Sequence, residues 1–282
     1  GSTRVGAQVM QSASKNLVPV TLELGGKSPV VIGQSAKLEL AATRLTFGKL
    51  LNGGQLCLSP DYVLVPNELE EHLIARVIHE TQSMYPNITE NSDYAGVINE
   101  RHFARLQNYI DDAVAKGAKL TIVGADKTRA SNDNRRMPLH ILQNVNEDML
   151  VMHEEIFGPI LPVMTYADIA EVPDKIEPRR NPLAMYYFGK DKVEQEYLLN
   201  HVASGGVCVN DITLHYVQED LPFGGVGASG MGAYHGPEGF RNMSHARAIY
   251  SQTMIDVLPI IGARPPFGEK FRKTIRKVLG PI

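Results

Sequence analysis

Two reactive side chains lie on glycine-rich segments in the first part of this 282-residue chain. Glu23 stands between Leu22 and Leu24 and precedes two glycines, and Cys57 follows the string Gly-Gly-Gln-Leu. Because glycine carries no side chain, a substrate can approach the backbone closely beside each group. The apolar neighbours of Glu23 disfavour its charged form and predict a raised pKa. A thiol nucleophile and a carboxylate base are together the groups that covalent catalysis through a thioester requires.

Each of these residues also has an ordinary structural explanation. Glu23 could cap or pair locally, and Cys57 could be a small buried filler, as most cysteines are. The intervening chain predicts a short apolar strand at 29–32 and a helix whose apolar positions include Leu38 and Leu45. Spacing alone does not show that this strand and this helix bring Glu23 and Cys57 together.

The strings Leu-Glu-Leu-Gly-Gly-Lys at 22–27 and Gly-Gln-Leu-Cys at 54–57 resemble the two signature motifs of the aldehyde dehydrogenase superfamily, in the same order and separation. The resemblance implies that Cys57, as thiolate, attacks an aldehyde carbonyl, and that hydride then leaves for a nicotinamide cofactor. It implies that Glu23 activates the water that hydrolyses the resulting thioester to a carboxylic acid. Because a free thiol has a pKa of about 8.5, we expect local dipoles to favour the thiolate.

Two further strings resemble the class 3 branch of this superfamily, which includes coniferyl aldehyde dehydrogenases: Pro-Asp-Tyr-Val-Leu-Val at 60–65 and the stretch 222–236. The second contains Gly-Val-Gly-Ala-Ser-Gly at 225–230, a literal match to the dinucleotide fingerprint. That fingerprint needs a preceding strand and a following helix, whereas the residues before it form a poor strand and 231–237 predict no stable helix. We therefore interpret it as a flexible loop that walls a substrate entrance.

A third string, Val-Met-His-Glu-Glu-Ile-Phe-Gly-Pro, resembles the superfamily signature whose glutamate holds the nicotinamide ribose hydroxyls. The resemblance assigns that contact to Glu155, which taken alone would be an ordinary surface charge, and places Phe157 near the nicotinamide ring. It also assigns cofactor contacts to Gly1, Ser2 and Leu24, with either NAD or NADP as the cofactor. A zinc-protease motif is absent because its second histidine would fall at Phe157, and no metal site is predicted.

The opening string Gly-Ser-Thr-x-x-Gly resembles a strand-to-helix turn deep inside the cofactor domain of that family. We therefore expect residues 1–26 to be the remnant of a dinucleotide-binding domain and 27–215 to be the catalytic thiol domain. Residues 216–282 are expected to form a C-terminal loop and tail that returns to the body or to a partner subunit. A chain that lacks the N-terminal part of the family's enzyme is expected to be at best a weak dehydrogenase by itself. The tail ends in a predicted basic amphipathic helix, for which docking on protein is preferred over docking on an anionic membrane.

Apolar periodicity predicts alternating strands and helices, which indicates an α/β fold. The resemblance implies an aldehyde-dehydrogenase-like, three-layer α/β/α arrangement with a largely parallel sheet. Cys208 lies in an alternating apolar run and is predicted to be a packed core thiol rather than a second nucleophile. Besides the elements already named, strands are predicted at 19–23, 62–65, 119–123, 181–188 and 205–210, and helices over 3–14, 69–84 and 100–116.

Composition excludes several classes of partner. The formal net charge of −3 gives no reason to expect nucleic acid as the main partner. No apolar run approaches the roughly 18 residues that a membrane span needs. The two cysteines do not make a disulfide framework, so a cytoplasmic location is expected. A homodimer is expected as the assembly.

These observations leave three hypotheses for the function. The first is an oxidoreductase that oxidises an aldehyde to the carboxylic acid with NAD or NADP. The second is a cofactor-free thiol esterase or acyl-transfer enzyme that uses Cys57 and Glu23, and the third is a non-catalytic fragment. Aromatic residues near the expected entrance indicate an aromatic aldehyde, such as coniferyl aldehyde, or a medium-chain one: Phe223, Tyr234 and Phe240.

Overall fold

The computed structural model describes residues 1–124, 135–179, 181–252 and 254–280. They form two compact units, Gly1–Ser244 and His245–Ile282. A polar loop is indicated by the sequence over 126–136, and its residues up to 134 lie outside the described residues.

Helices and strands alternate along the chain. The described helices are α1 (Thr3–Ser14), α2 (Leu38–Leu50), α3 (Glu70–Met84), α4 (Glu100–Ala115), α5 (Val172–Ile176), α6 (Lys192–His201), α7 (Gly236–Asn242), α8 (Val257–Ile260) and α9 (Glu269–Leu279). The described strands are β1 (Leu22–Glu23), β2 (Pro29–Ile32), β3 (Tyr62–Pro66), β4 (Lys119–Val123), β5 (Leu139–Gln143), β6 (Ile160–Tyr166), β7 (Ala184–Phe188), β8 (Gly206–Val209) and β9 (Gly230–Met231).

A largely parallel sheet forms the centre of the first unit. Its described strands lie in the order β4-β5-β6-β3-β2-β7-β8, and β4 and β5 pair antiparallel while the other neighbours pair parallel. Strands β1 and β9 pair antiparallel in a separate two-stranded sheet. The expected α/β class with a largely parallel sheet is confirmed.

Both faces of this sheet are covered, because successive side chains of a strand point to opposite faces. On β2, Val30 and Ile32 pack in one core with residues of α2 and α3, whereas Val31 packs in another core with residues of α5 and α6. A parallel strand that is buried on both faces has a continuous apolar sequence. Such runs predicted β2 and β3 correctly. The layers are therefore helix, sheet and helix, as the resemblance implied.

Several predicted elements differ in detail from the observed ones. The strand expected over 19–23 is only the two-residue β1, and it pairs with β9 outside the central sheet. Strand β6 was not predicted, because Pro162 interrupts its apolar run and a proline usually argues against an interior strand. The expectation that 231–237 opens no helix is wrong at its end, since α7 begins at Gly236 with Pro237 in its first turn.

The second unit contains α8 and α9. Helix α9 includes Phe271, Ile275 and Leu279, whose spacing predicts a helix. Among its described residues, 245–252 and 254–280, none is fully buried. None of the helices that the structure describes is both long and apolar enough to cross a membrane.

The amino ends of three neighbouring strands meet at one edge of the central sheet. The segments that contain Glu23, Cys57 and Glu155 lead into β2, β3 and β6 respectively. Because these strands are adjacent and parallel, the three segments are brought to the same edge. In open α/β sheets ligands more often lie beyond the carboxyl ends of the strands. The candidate site therefore lies at the less usual edge.

Candidate active site

Glu23 is held in place by the glycine-rich loop that resembles a dinucleotide fingerprint. Glu23 lies opposite Gly230 in the β1–β9 pair, and the backbone N–H of Leu24 donates to the carbonyl oxygen of Ser229 at 3.0 Å. In place of the long helix of a nucleotide fold, the loop forms a short 3-10 turn at Gly227–Ser229 and then β9. Its role in the structure is therefore to fix the strand that carries the carboxylate.

The Glu23 carboxylate is well suited to accept a proton near neutral pH. Both of its oxygens are buried and have no hydrogen-bond partner among the described residues. Burial raises the pKa of Glu23 to about 7, against a smaller lowering by the amino group of Gly1. A carboxylate that pairs with nothing and ionises near pH 7 has the properties of a general base rather than those of a local cap.

Cys57 lies on a tight turn and is exposed. The 3-10 segment Leu51–Gly54 leads into it and contains left-handed backbone conformations. The next residue, Gln55, anchors the turn to a neighbouring loop: its side-chain nitrogen donates to the carbonyl of Gly96 at 3.1 Å, and its oxygen accepts from the N–H of Ile98 at 2.9 Å. The thiol therefore lies at the surface of a well-anchored turn, which the explanation of a buried filler does not predict.

Gly54 allows this turn to touch the segment that carries Glu155. Its φ is +75°, and a Cβ atom placed there would lie 2.5 Å from the carbonyl oxygen of Gly158. The position needs glycine for its backbone conformation and for the close approach of a second backbone. The Cys57 turn and the Glu155 segment are thus packed backbone to backbone.

We expect Gly54→Ala to lower the free energy of unfolding by about 2–4 kcal/mol, because it adds backbone strain and a steric overlap. Gly117 is a matched control: its φ is +97°, yet nothing lies within 4 Å of an added Cβ. Gly117→Ala should therefore cost only the strain, about 1–2 kcal/mol. Urea unfolding of both variants measures the difference, and equal losses would show that the approach of Gly158 is not tight.

Glu155 lies against the glycine turn that follows Glu23. A Cβ on Gly25 would fall 1.9 Å from one Glu155 carboxylate oxygen, and the backbone of Gly26 forms a hydrogen bond with the carboxylate. Burial and then the charge of Asp61 raise the pKa of Glu155 to about 8. Phe157 is 36% exposed and has a left-handed φ of 51°, so its ring stands at the surface beside this carboxylate segment.

The structure brings the two carboxyl groups and the thiol into one electrostatic environment. Although Cys57 is exposed as a residue, the surrounding segments partly desolvate its sulfur, which raises the pKa of the thiol, and the negative charges of Glu155 and Glu23 raise it further. The expectation that local dipoles favour the thiolate is therefore wrong for this chain without ligands, since the nearby carboxylates outweigh a backbone hydrogen bond to the thiol. Cys57 therefore lies within Coulomb range of both carboxyl groups.

The three other residues assigned to the cofactor lie around the start of α1. The hydroxyl of Ser2 caps this helix by accepting from the N–H of Val5 at 3.4 Å, and the N–H of Gly25 donates to the carbonyl of Gly1 at 3.1 Å. Leu24 is buried and packs on α1, where a Cβ on Gly6 would meet it at 2.9 Å. The amino end of α1 therefore lies against the turn at Gly25, which also contacts Glu155.

This arrangement fits a nicotinamide dinucleotide. A helix N-terminus suits a phosphate, because its first N–H groups have no partner within the helix. A charged carboxylate such as that of Glu155 suits a pair of ribose hydroxyls. Within the described residues, no group of three or more His, Cys, Asp and Glu side chains could hold a metal ion.

Aromatic rings adjoin the site. The ring of Phe223 lies 5.6 Å from that of Tyr234 and 5.0 Å from that of Tyr216, measured between centroids. Phe223 is buried, whereas Phe240 is 77% exposed. Burial and a hydrogen bond with Tyr216 raise the pKa of Tyr234, and the charges of Glu23 and Cys57 add smaller contributions. Tyr234, whose ring packs on Phe223, is therefore within Coulomb range of both Glu23 and Cys57.

The sequence did not single out two buried charges at the site, Lys27 and Asp61, which form an ion pair. Asp61 directly precedes β3, and Lys27 is separated from β2 by Ser28 alone; the residues of both strands are almost all apolar. The sequence did contain a signal for this pair. Each charge stands just before an apolar strand that must be buried, and a charged group is rarely buried without a partner.

Comparison with known proteins places the chain in a family. A profile of the aldehyde dehydrogenase family matches residues 1–249. A probable coniferyl aldehyde dehydrogenase of Caulobacter vibrioides is 46% identical over 274 residues, which cover 97% of this chain and 56% of that protein. Mouse (Mus musculus) aldehyde dehydrogenase family 3 member A2 is 42% identical over 88% of this chain and 49% of its own length.

A solved structure shows the same fold. The substrate-bound state of Staphylococcus aureus AldH superposes with a TM-score of 0.89 at 37% identity, over 99% of this chain and 59% of that one. The chain thus spans between about half and three fifths of the length of these relatives. The resemblance of the signature strings and of the class 3 strings to this family is confirmed, and the chain belongs to the aldehyde dehydrogenase family.

Proposed function

We propose that the chain carries the thiol and the general base of an aldehyde dehydrogenase that oxidises an aldehyde to the carboxylic acid with NAD or NADP. The observation that carries this proposal is the Glu23 carboxylate, whose oxygens are buried without a hydrogen-bond partner among the described residues and lie within Coulomb range of the exposed Cys57. In this proposal residues 1–26 belong to the cofactor-binding part, 27–215 form the catalytic domain and 216–282 form a C-terminal loop and tail.

Cys57 and Glu23 perform successive steps. The Cys57 thiolate forms a C–S bond to the aldehyde carbonyl carbon, and the carbonyl oxygen takes a proton, which gives a thiohemiacetal. The chemistry that a bound nicotinamide supplies is acceptance of a hydride, which turns the thiohemiacetal into a thioester. Glu23 then takes a proton from a water molecule as that water attacks the thioester. The C–S bond breaks, the carboxylic acid leaves and the Cys57 sulfur is regenerated.

Five residues are proposed to hold the cofactor. Glu155 would accept hydrogen bonds from the ribose hydroxyls, and Phe157 would lie beside the nicotinamide ring. Gly1 and Ser2, at the start of α1, would face the phosphates, and Leu24 would support them by packing on α1. The support is the contact of these segments around one glycine turn.

The substrate is proposed to be an aromatic aldehyde, such as coniferyl aldehyde, or a medium-chain aliphatic one. The relative of Caulobacter vibrioides is named a probable coniferyl aldehyde dehydrogenase. The charge of Cys57 acts on Tyr234, whose ring packs on that of Phe223. A cytoplasmic homodimer completes the proposal. Two free cysteines suit a reducing compartment, and two-fold dimers are the commonest homo-oligomers.

A cofactor-free thiol esterase or acyl-transfer enzyme is the second candidate, because Cys57 and Glu23 suffice for that chemistry. The two are separated by incubating the chain with coniferyl aldehyde or octanal and NAD or NADP, while cofactor binding is measured by calorimetric titration. Aldehyde-dependent formation of reduced cofactor supports the dehydrogenase. Ester hydrolysis without cofactor binding or reduction favours the esterase, and alkylation of Cys57 without any turnover favours a non-catalytic role.

A further inference from the structure

A buried ion pair lies between the two proposed catalytic segments. Lys27 is the fourth residue after Glu23, and Asp61 is the fourth residue after Cys57. Both side chains are only 3% exposed, and the ammonium group of Lys27 bonds one carboxylate oxygen of Asp61. The pair therefore joins the segment that carries the proposed base to the segment that carries the proposed nucleophile.

The same pair holds a third segment by its backbone. The ammonium group of Lys27 also donates to the carbonyl oxygens of Val151, at 2.8 Å, and Glu154, at 3.0 Å. The second carboxylate oxygen of Asp61 accepts from the N–H of Ile156 at 2.9 Å. All three protons of the ammonium group are thus used, and the residues on both sides of Glu155 are fixed.

Strand pairing explains why these groups meet. Lys27 and Asp61 lie just before the adjacent parallel strands β2 and β3, and the N–H of Asp61 donates to the carbonyl of Ser28 at 2.9 Å. Strand β6 lies on the other side of β3, so the Glu155 segment enters from the same edge. The ion pair occupies the point where the three segments converge.

The energetics do not favour such a pair for stability alone. Removing two charges from water is costly, and apolar side chains of similar volume often stabilise a protein as well or better. Arg179 also lies near Lys27, and its positive charge opposes that of Lys27. What apolar residues could not supply is the set of directed hydrogen bonds to the backbone on both sides of Glu155.

We infer that Lys27 and Asp61 are positioning residues, which hold Glu155 against the turn after Glu23 and beside the Cys57 thiol. The effect on cofactor binding rests on the proposed function, since a displaced Glu155 would no longer hold the cofactor ribose. Its structural content, the placement of Glu155 relative to Cys57, can be tested without any cofactor. Glu155, Glu23 and the Gly1 amino group are the charges that act on the thiol, and Glu155 has the largest effect among them.

The test measures the rate of Cys57 alkylation by iodoacetamide as a function of pH, in a Cys208→Ala background. Glu155→Gln removes a carboxyl group whose pKa is raised to about 8 and which is therefore mostly ionised only above that pH, so alkylation between about pH 8 and pH 9 should become at least about twofold faster. The double variant Lys27→Met/Asp61→Leu replaces the ion pair by apolar side chains. It should show a similar acceleration, and adding Glu155→Gln to it should change the rate by less than about 1.5-fold, because coupled residues are not additive.

The control is a second buried lysine. Lys49 is 1% exposed and donates to the carbonyl of Pro60 at 2.9 Å, not to the Glu155 segment. In Lys49→Met the acceleration by Glu155→Gln should persist in full. Circular dichroism and urea unfolding establish that each variant is folded. If the double variant does not fold, the nearly isosteric Asp61→Asn takes its place and should reduce the effect of Glu155→Gln.

An unchanged effect of Glu155→Gln in the folded variant that lacks the ion pair would overturn the inference. Titration with NAD is the second measurement, in which the double variant should bind at least about tenfold more weakly and Glu155→Gln should add little to that loss. If the parent chain binds no NAD, the proposed cofactor contacts fail for this chain by itself, and the alkylation experiment still decides whether the ion pair positions Glu155.

Discussion

Cys57→Ala is expected to abolish acylation of the chain by an activated ester such as p-nitrophenyl acetate, with a loss on the order of 10⁴-fold or more. The nucleophile forms the covalent bond itself, so no other group of the site can replace it. Release of nitrophenolate measures acylation, and mass spectrometry of the acylated peptide identifies its site. The prediction needs no cofactor, and it therefore applies to the chain as it is.

The other cysteine provides the control. Cys208 is half-buried, burial raises the pKa of its thiol, and the backbone N–H groups of Leu214 and His215 form hydrogen bonds with it. Cys208→Ala should therefore leave acylation within about twofold of the parent. A limiting amount of iodoacetamide should label Cys57 far more than Cys208. Equal labelling of the two thiols under native conditions would contradict the assignment of the nucleophile.

Glu23→Gln is expected to leave acylation almost intact and to slow hydrolysis of the acyl-enzyme by about 10²–10⁴-fold, the usual contribution of a general base. The variant should release about one equivalent of nitrophenolate in a burst and then turn over very slowly. With an aldehyde and cofactor, the same variant should give a burst of reduced cofactor. Cys208→Ala, which leaves the proposed base and nucleophile in place, is the control and should hydrolyse its acyl group at the parental rate. Parental turnover by Glu23→Gln would show that another group activates the water.

The pH dependence of deacylation provides a second measurement on Glu23. Burial raises the pKa of this carboxyl group to about 7, and only its ionised form can accept a proton from water. The rate should fall about tenfold for each pH unit below that pKa and should level off above it. In Glu23→Gln this inflection should disappear. A parent profile that stays flat from pH 5 to pH 8 would mean that the base has an ordinary carboxyl pKa.

The sequence by itself determined much of the secondary structure and showed which side chains could be reactive. Strands β2 and β3 are short apolar runs with both faces buried. Asn99 caps α4, because its side chain accepts from the N–H of His102 at 3.0 Å. Such features depend only on residues a few positions away in the chain, so they can be recognised in the sequence. The placement of Glu23 and Cys57 on glycine turns is local in the same sense.

Other features of the sequence were harder to interpret because two signals competed. The loop at 225–230 matches a phosphate-binding pattern, and its neighbours correctly argued against a nucleotide fold. Its actual role, pairing with the strand of Glu23, joins residues that lie about two hundred positions apart in the chain. A local pattern does not specify a partner at that distance.

The tertiary structure alone decided the electrostatics of the site. The raised pKa of the Cys57 thiol, opposite to the sequence-based expectation, follows from burial and from two carboxyl groups that belong to other segments. The Lys27–Asp61 ion pair likewise depends on β2 and β3 being adjacent and parallel, with their amino ends at the same edge of the sheet. The physical reason is that desolvation and Coulomb interactions depend on distances through space. Strand order and register set those distances, and both result from packing across the whole sheet.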